Sequence, residues 1–209
     1  MWMLAFDTCL DKTYVTLYND EKFINKIILS NEKNYHSAYL ISTIIEILKL
    51  ENLSPADLDY ISTDIGPGSF TGIRAGVTVA RVLAQETNAY TFGISSLEIL
   101  ASASNLENPL VILDARKNMA YVWDNKVLGA LMLEDIDKIA KMRNIITDNT
   151  LFERYKELGN SVLSYQEENF TLGKVLFNII TNKDCGTDNV WQNLKPLYIQ
   201  PPPVTLKRN

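Results

Sequence analysis

The chain has 209 residues, 46% hydrophobic and 22% charged, with 20 basic against 25 acidic side chains. That apolar share excludes a disordered chain, and nine glycines and seven prolines exclude collagen-like or linker-rich classes. A formal charge of -5 argues against a protein that grips nucleic acid alone through a basic face. Cys9 and Cys185 cannot build a disulfide framework, which fits a reducing compartment. The opening MWMLAFD reaches Asp7 before a signal-peptide apolar region develops, and no apolar run approaches membrane-spanning length. A soluble, cytoplasmic globular protein with no membrane contact is expected.

Three short alternating runs come first: Leu4 to Phe6, Thr13 to Tyr18 and Phe23 to Leu29. The polar turns between them predict an antiparallel meander. Helical periodicity follows from Tyr35 to Leu50, and Ser54-Pro55-Ala56-Asp57 has the form of a second helix start. Tyr60 to Ile65 reads as a strand running into GPGSFTGIR, Gly66 to Arg74. A helix to Thr87, a strand over Ala89 to Ile94 and a helix opened by the Ser95–Glu98 capping-box spacing come next.

Asn105 to Pro109 reads as a boundary, giving an N-terminal lobe of residues 1–104 and a smaller C-terminal lobe of 105–209. Beyond it, VILDARKNMAYVWDN repeats the pattern of LAFDTCLDKTYVTLYN: an apolar strand, an Asp, a polar turn and a Tyr-Val strand. The Asp-to-Tyr distance is the same in both, Asp7 to Tyr14 and Asp114 to Tyr121. Such a repeat predicts two lobes of related topology. The second lobe continues as helix 134–142, strand 144–147, helix 151–158, strand 161–165 and helix 171–182, and Pro201-Pro202-Pro203 ends regular structure.

GPGSFTGIR is the most informative stretch. Gly66, Pro67, Gly68, Ser69, Phe70 and Thr71 join a strand to a helix, where free N–H groups attract an anion. Two readings fit: a phosphate or carboxylate cradle, or a tight corner capped by Thr71 or Ser69. No Lys follows Gly72, as a P-loop requires, and Thr71 stands where the third glycine of a dinucleotide fingerprint belongs. The pattern alone therefore favours the corner. In the helix that follows, Gly72, Gly76, Ala80 and Ala84 form one ridge of small residues, which lets a neighbour approach closely. Both this helix and the earlier one carry apolar arcs wider than an ordinary core-facing stripe, with Ala38, Ile41 and Ile45 extending the first. A sheet beneath and a partner above would account for this. So would mutual cover inside the monomer.

Catalytic machinery is sparse. His36 is the single histidine, and Leu40 stands four residues later, so no His-x-x-x-His metal pair exists and no metal site is expected. Asp7, with Thr8, and Asp114 end strands where two-lobed nucleotide-binding folds place magnesium-directing carboxylates. They fit equally as turn residues accepting local N–H bonds. The second lobe lacks the glycine-rich turns that an ATP cleft takes from both sides.

LAFDTCLDKTYVTLY, GPGSFTGIRAGVTVARVLA, FGISSLEILA, VILDARKNMAYV and the terminal PLYI together resemble the TsaB (YeaZ) family, over nearly the whole chain and most strongly from Met3 to Leu100. The resemblance implies an α/β, two-lobed actin/Hsp70-like (ASKHA) fold of RNase H-like lobes, with mixed sheets flanked by helices. It implies a non-catalytic dimerisation subunit for TsaD in making tRNA threonylcarbamoyl-adenosine, with TsaE acting beside the pair, a homodimer in isolation, and tRNA met only through the complex. The implied pairing surface takes in Tyr35, Ala38, Tyr39, Ile41, Ser42, Ile45, Gly72, Arg74, Gly76 and Ala80. The implied nucleotide site at Asp7, Thr8 and Asp114 is vestigial, so this chain alone binds no cofactor, and ATP with magnesium belongs to the partner or the heterodimer boundary. Cys9 stands where the family usually has serine, and Gln200 where it often has arginine. The competing assignments are a small actin-fold ATPase or kinase using Asp7, Gly68 and Asp114 around Mg-ATP, and a metallopeptidase-like enzyme, which the missing second histidine disfavours.

Overall fold

The computed structural model describes residues 1–28, 39–183 and 188–200. Tyr35, His36, Ala38, Cys185 and the Pro201–Pro203 run lie outside them. The first sheet takes β1 (Met3–Asp7), β2 (Thr13–Tyr18), β3 (Phe23–Ile28), β4 (Tyr60–Asp64) and β5 (Tyr90–Ile94), with α1 (Leu40–Leu50), α2 (Phe70–Thr87) and α3 (Ser96–Ala103) between or after them. The second takes β6 (Leu110–Asp114), β7 (Met119–Asp124), β8 (Val127–Met132), β9 (Asn144–Thr147) and β10 (Ser161–Ser164), with α4 (Leu133–Ile139), α5 (Phe152–Glu157) and finally α6 (Leu172–Thr181).

The strand orders, β3-β2-β1-β4-β5 and β8-β7-β6-β9-β10, are the same topology written twice. In each, three antiparallel strands joined by tight turns are extended by two parallel ones that need helical crossovers. This is the duplicated α/β architecture that the repeat predicts. The repeat slips in one detail. Tyr14 pairs with Asp7, whereas Tyr121 pairs with Leu113 and Ala120 with Asp114, so equal sequence spacing hides a register offset of one residue.

Alternation on β1 sorts the core. Leu4 and Phe6 face α1 and α2, joining Ile44, Ile47, Ile73 and Val77, while Met3 and Ala5 face the other way onto Leu176, Phe177 and Ile180 of α6. Although it follows the second sheet in sequence, α6 returns to cover the first sheet. Leu97 and Leu100 of α3 pack with Val111, Leu113 and Ile146 of the second sheet, and Ile99 packs with the first. One helix thus serves both lobes.

Other differences are local. Within the described residues α1 starts at Leu40, and Ser54 opens only a 3-10 turn over Pro55–Asp57, closed by a reciprocal Ser54–Asp57 capping box. Strand β8 was not expected, because VLGALM shows no polar alternation. It is an edge strand with a register shift near Trp123. Among the described residues, no helix is long and apolar enough to cross a membrane.

Candidate functional site

The glycine stretch folds as a corner, and the amides of Gly66, Ser69 and Gly72 are used internally. Asp64 at the end of β4 accepts the Gly66 N–H on Oδ1 at 2.7 Å, and the Ser96 hydroxyl donates to the same oxygen at 2.7 Å. Ser69 N donates to the Cys9 carbonyl at 2.8 Å, and Ser69 Oγ caps α2 by accepting the Gly72 N–H at 3.3 Å. Gly66 has φ +101°, a conformation that favours glycine, and its carbonyl accepts the Ser96 N–H. With Gly66, Ser69 and Gly72 committed to internal bonds, the geometry favours the tight corner over a phosphate cradle.

The small-residue ridge is covered by the chain itself. A Cβ on Gly72 would lie 1.7 Å from the Thr8 carbonyl oxygen, and one on Gly76 would lie 2.9 Å from both the Thr63 and Thr8 hydroxyls. Ala80 and Ala84 are fully buried in the cluster beneath α1 and α2. Gly72, Gly76 and Ala80 are therefore not partner surface. They let α2 lie directly on the ends of β1 and β4, and the Thr8 hydroxyl donates to the Gly72 carbonyl at 2.6 Å.

Behind the corner, Asp7, Cys9 and Asp64 bring their ligand atoms within 4.8 Å of one another, the one such group among the described residues. Asp7 accepts the Cys9 N–H on Oδ1 at 2.6 Å, and the Cys9 thiol donates to the Asp64 carbonyl at 3.3 Å. The second oxygens of Asp7 and Asp64, both fully buried, have no hydrogen-bond partner, nor has the nearby Tyr14 hydroxyl. Burial first, then the Asp64 charge, holds Asp7 well above the usual carboxylate range. Burial pushes Asp64 up to about 6, against the pull of the Gly66 and Ser96 donors. Burial and these two acids push the Cys9 thiol up as well, so it stays protonated. A buried thiol between two fully buried carboxyls does not fit a hydrated magnesium ion, which keeps several waters.

Asp114 does not join this group. Its N–H donates to Asp148 Oδ2 at 2.6 Å, its Oδ1 accepts the Arg116 N–H, and no hydrogen bond links it to Asp7. Asp114 thus makes its bonds within the second lobe, and Asp7 and Thr8 make theirs within the first. Asp64 and Ser96 escaped the sequence reading, although the signal was present: β4, like β1, is an apolar strand ending in Asp beside a turn. The other described residues expected on the pairing surface stay outside. Tyr39, Ile41 and Ile45 on α1 are 54%, 57% and 48% exposed, Ser42 lies between them, and Arg74 projects from α2. The opposite face of α1, with Leu40, Ile44, Ile47 and Leu48, is buried.

A family model described as TsaD, tRNA N6-adenosine threonylcarbamoyltransferase, matches residues 25–174. The tRNA threonylcarbamoyladenosine biosynthesis protein TsaB of Bacillus subtilis (strain 168) is 34% identical over 165 residues, 78% of this chain and 69% of that protein. The chain belongs to the TsaB (YeaZ) family. The TsaB of Buchnera aphidicola subsp. Schizaphis graminum is 28% identical, over 75% of this chain and 73% of its own length. YeaZ from Pseudomonas aeruginosa superposes with a TM-score of 0.72 at 19% identity, covering 95% of this chain and all of that one. Another crystal structure, of a protein described as similar to the peptidase YeaZ from Pseudomonas aeruginosa, gives 0.75 at 18% identity, covering 95% and 99%. TsaB membership puts the chain in tRNA threonylcarbamoyladenosine biosynthesis.

Proposed function

We propose that this TsaB-family chain is the non-catalytic pairing subunit of TsaD, and that it docks through the outer face of α1. The observation that carries this reading is the pair Ile41 and Ile45, one helical turn apart and 57% and 48% exposed on a helix whose other face is fully engaged. Isoleucines at that spacing, beside Tyr39, make an apolar strip suited to a facing helix. A standard interface buries about 1,600 Å² in total, so this strip forms its centre, with Ser42 and Arg74 toward the rim. Chemistry is assigned to the partner because the Gly66, Ser69 and Gly72 amides are committed to internal bonds and Asp7 and Asp64 are fully buried. ATP and magnesium, TsaE and tRNA are met in the complex, and the same strip serves a homodimer when TsaD is absent.

The test is Ile41→Asp, alone and with Ile45→Asp, co-expressed with TsaD from the same organism. A charge forced into the centre of an apolar interface costs at least about 3 kcal/mol, or over a hundredfold in affinity. Co-purification is expected to fail while the melting temperature of the isolated chain stays within about 2 °C of wild type, because both side chains are at the surface. Recovery of the complex at full yield would overturn the assignment.

A further inference from the structure

We propose that residues Leu194–Gln200 are a clasp, in which Tyr198 grips the outer face of α2 and so ties the second lobe to the first. The Tyr198 ring lies 5.1 Å from that of Phe70, in the first turn of α2. Arg74 sits over the Phe70 ring at 4.2 Å and donates from Nε to the Tyr198 hydroxyl at 3.1 Å. The residues on either side are anchored to different lobes. Upstream, Leu197 N donates to the Ile65 carbonyl at 2.8 Å, and Leu194 is buried against Gly93, where a Cβ would lie 2.8 Å from its Cδ1. Downstream, Ile199 packs on the cluster of Leu97, Leu100, Val111, Leu113 and Ile146 that joins the two sheets. Gln200 then accepts from the Tyr121 hydroxyl at 3.5 Å and donates to the Met119 sulfur at 3.6 Å, both on β7.

The physical consequence is a coupling of surface to hinge. Three peptide steps carry the chain from the glycine corner, across an exposed Phe–Arg–Tyr knob, to the second sheet. An aromatic pair reinforced by a cation over one ring and a hydrogen bond to the hydroxyl of the other supplies about a factor of ten in a local opening equilibrium. Tyr198 is 42% exposed, so a chain docked beside Arg74 would close over the knob and stiffen the lobe boundary without touching the second lobe. That last step rests on the pairing assigned above. The clasp itself is a property of the isolated chain.

The experiment uses the full chain alone, with Cys185→Ser and spin labels placed by Gln85→Cys on α2 and Glu157→Cys on α5, both exposed positions. Wild type at Tyr198 is expected to give one narrow inter-lobe distance. Tyr198→Ala is expected to broaden it and to speed exchange of the Leu197 amide roughly tenfold, leaving the amides of β1 and β9 at wild-type rates. Tyr198→Phe, which keeps the ring on Phe70, is expected to keep most of the narrow distribution. An unchanged distribution in Tyr198→Ala, or faster exchange throughout both sheets, would overturn the clasp. TsaD is absent and the doubly labelled chain is diluted with excess unlabelled chain, so neither a failure of TsaD pairing nor distances between copies can imitate either result.

Discussion

Gly72→Ala is expected to be the most damaging single-methyl change in the first lobe. The new Cβ would sit 1.7 Å from the Thr8 carbonyl oxygen and 2.7 Å from its carbon. Both are main-chain atoms at the end of a fully buried strand, so no rotamer change relieves the clash. Helix propensity favours alanine over glycine by about 1 kcal/mol, but overpacking against a rigid neighbour costs about 3 kcal/mol or more, and the clash wins. The Thr8 hydroxyl bond to the Gly72 carbonyl would be lost in the same movement. Denaturant unfolding is expected to show a loss of at least about 3 kcal/mol, or no folded protein. Gly159→Ala is the control, since nothing lies within 4 Å of its Cβ and only its φ of +80° is strained, for about 1 kcal/mol. Equal stability of the two variants would show that α2 has room to move off β1.

The same glycine shows what could be read from sequence and what could not. A ridge of Gly72, Gly76, Ala80 and Ala84 states that something approaches closely, and periodicity cannot name it. The approach is made by β1, the first element of the chain, and by β4, which directly precedes α2. The strand–Asp–turn–strand repeat was legible because local pattern and topology agree, down to two sheets with one strand order. Its register was not, because a turn one residue shorter leaves composition unchanged. The exposed strip on α1 follows from amphipathicity alone: Ile44, Ile47 and Leu48 fill the inner face, which leaves Ile41 and Ile45 unaccounted for. Tertiary bonds decided the rest. GPGSFTGIR carries the composition of an anion cradle, and only the Cys9 carbonyl and the Asp64 carboxyl show that the Ser69 and Gly66 amides are already taken. The segment of PLYI gave no local sign that Tyr198 would lie on Phe70, because that contact spans most of the chain.

Asp64→Asn is expected to stabilise the protein near neutral pH and to change it little in acid. Both carboxyls are held above their ordinary values, Asp64 at about 6 against 3.8, so the folded state binds protons that the unfolded state releases. The sign follows: the pair's contribution is complete below about pH 4 and drains away as pH rises through about 6. In the variant, the amide oxygen still accepts from Gly66 N and the Ser96 hydroxyl. The amide nitrogen then meets the second oxygen of Asp7, which has no partner in the wild type, as a donor in place of a competing charge. A shift of that size in one carboxyl corresponds to at most about 3 kcal/mol, and the gain expected near pH 7.5 is about 1–2 kcal/mol. For a chain of this length that is roughly 2–8 °C in melting temperature. Near pH 4.5 both carboxyls of the wild type already hold protons and the advantage should shrink to under about 0.5 kcal/mol. Unfolding curves at the two pH values decide it. A stability difference independent of pH, or a loss at pH 7.5, would mean that the fold tolerates the Asp64 charge without cost, with a cation and not a proton neutralising the pair.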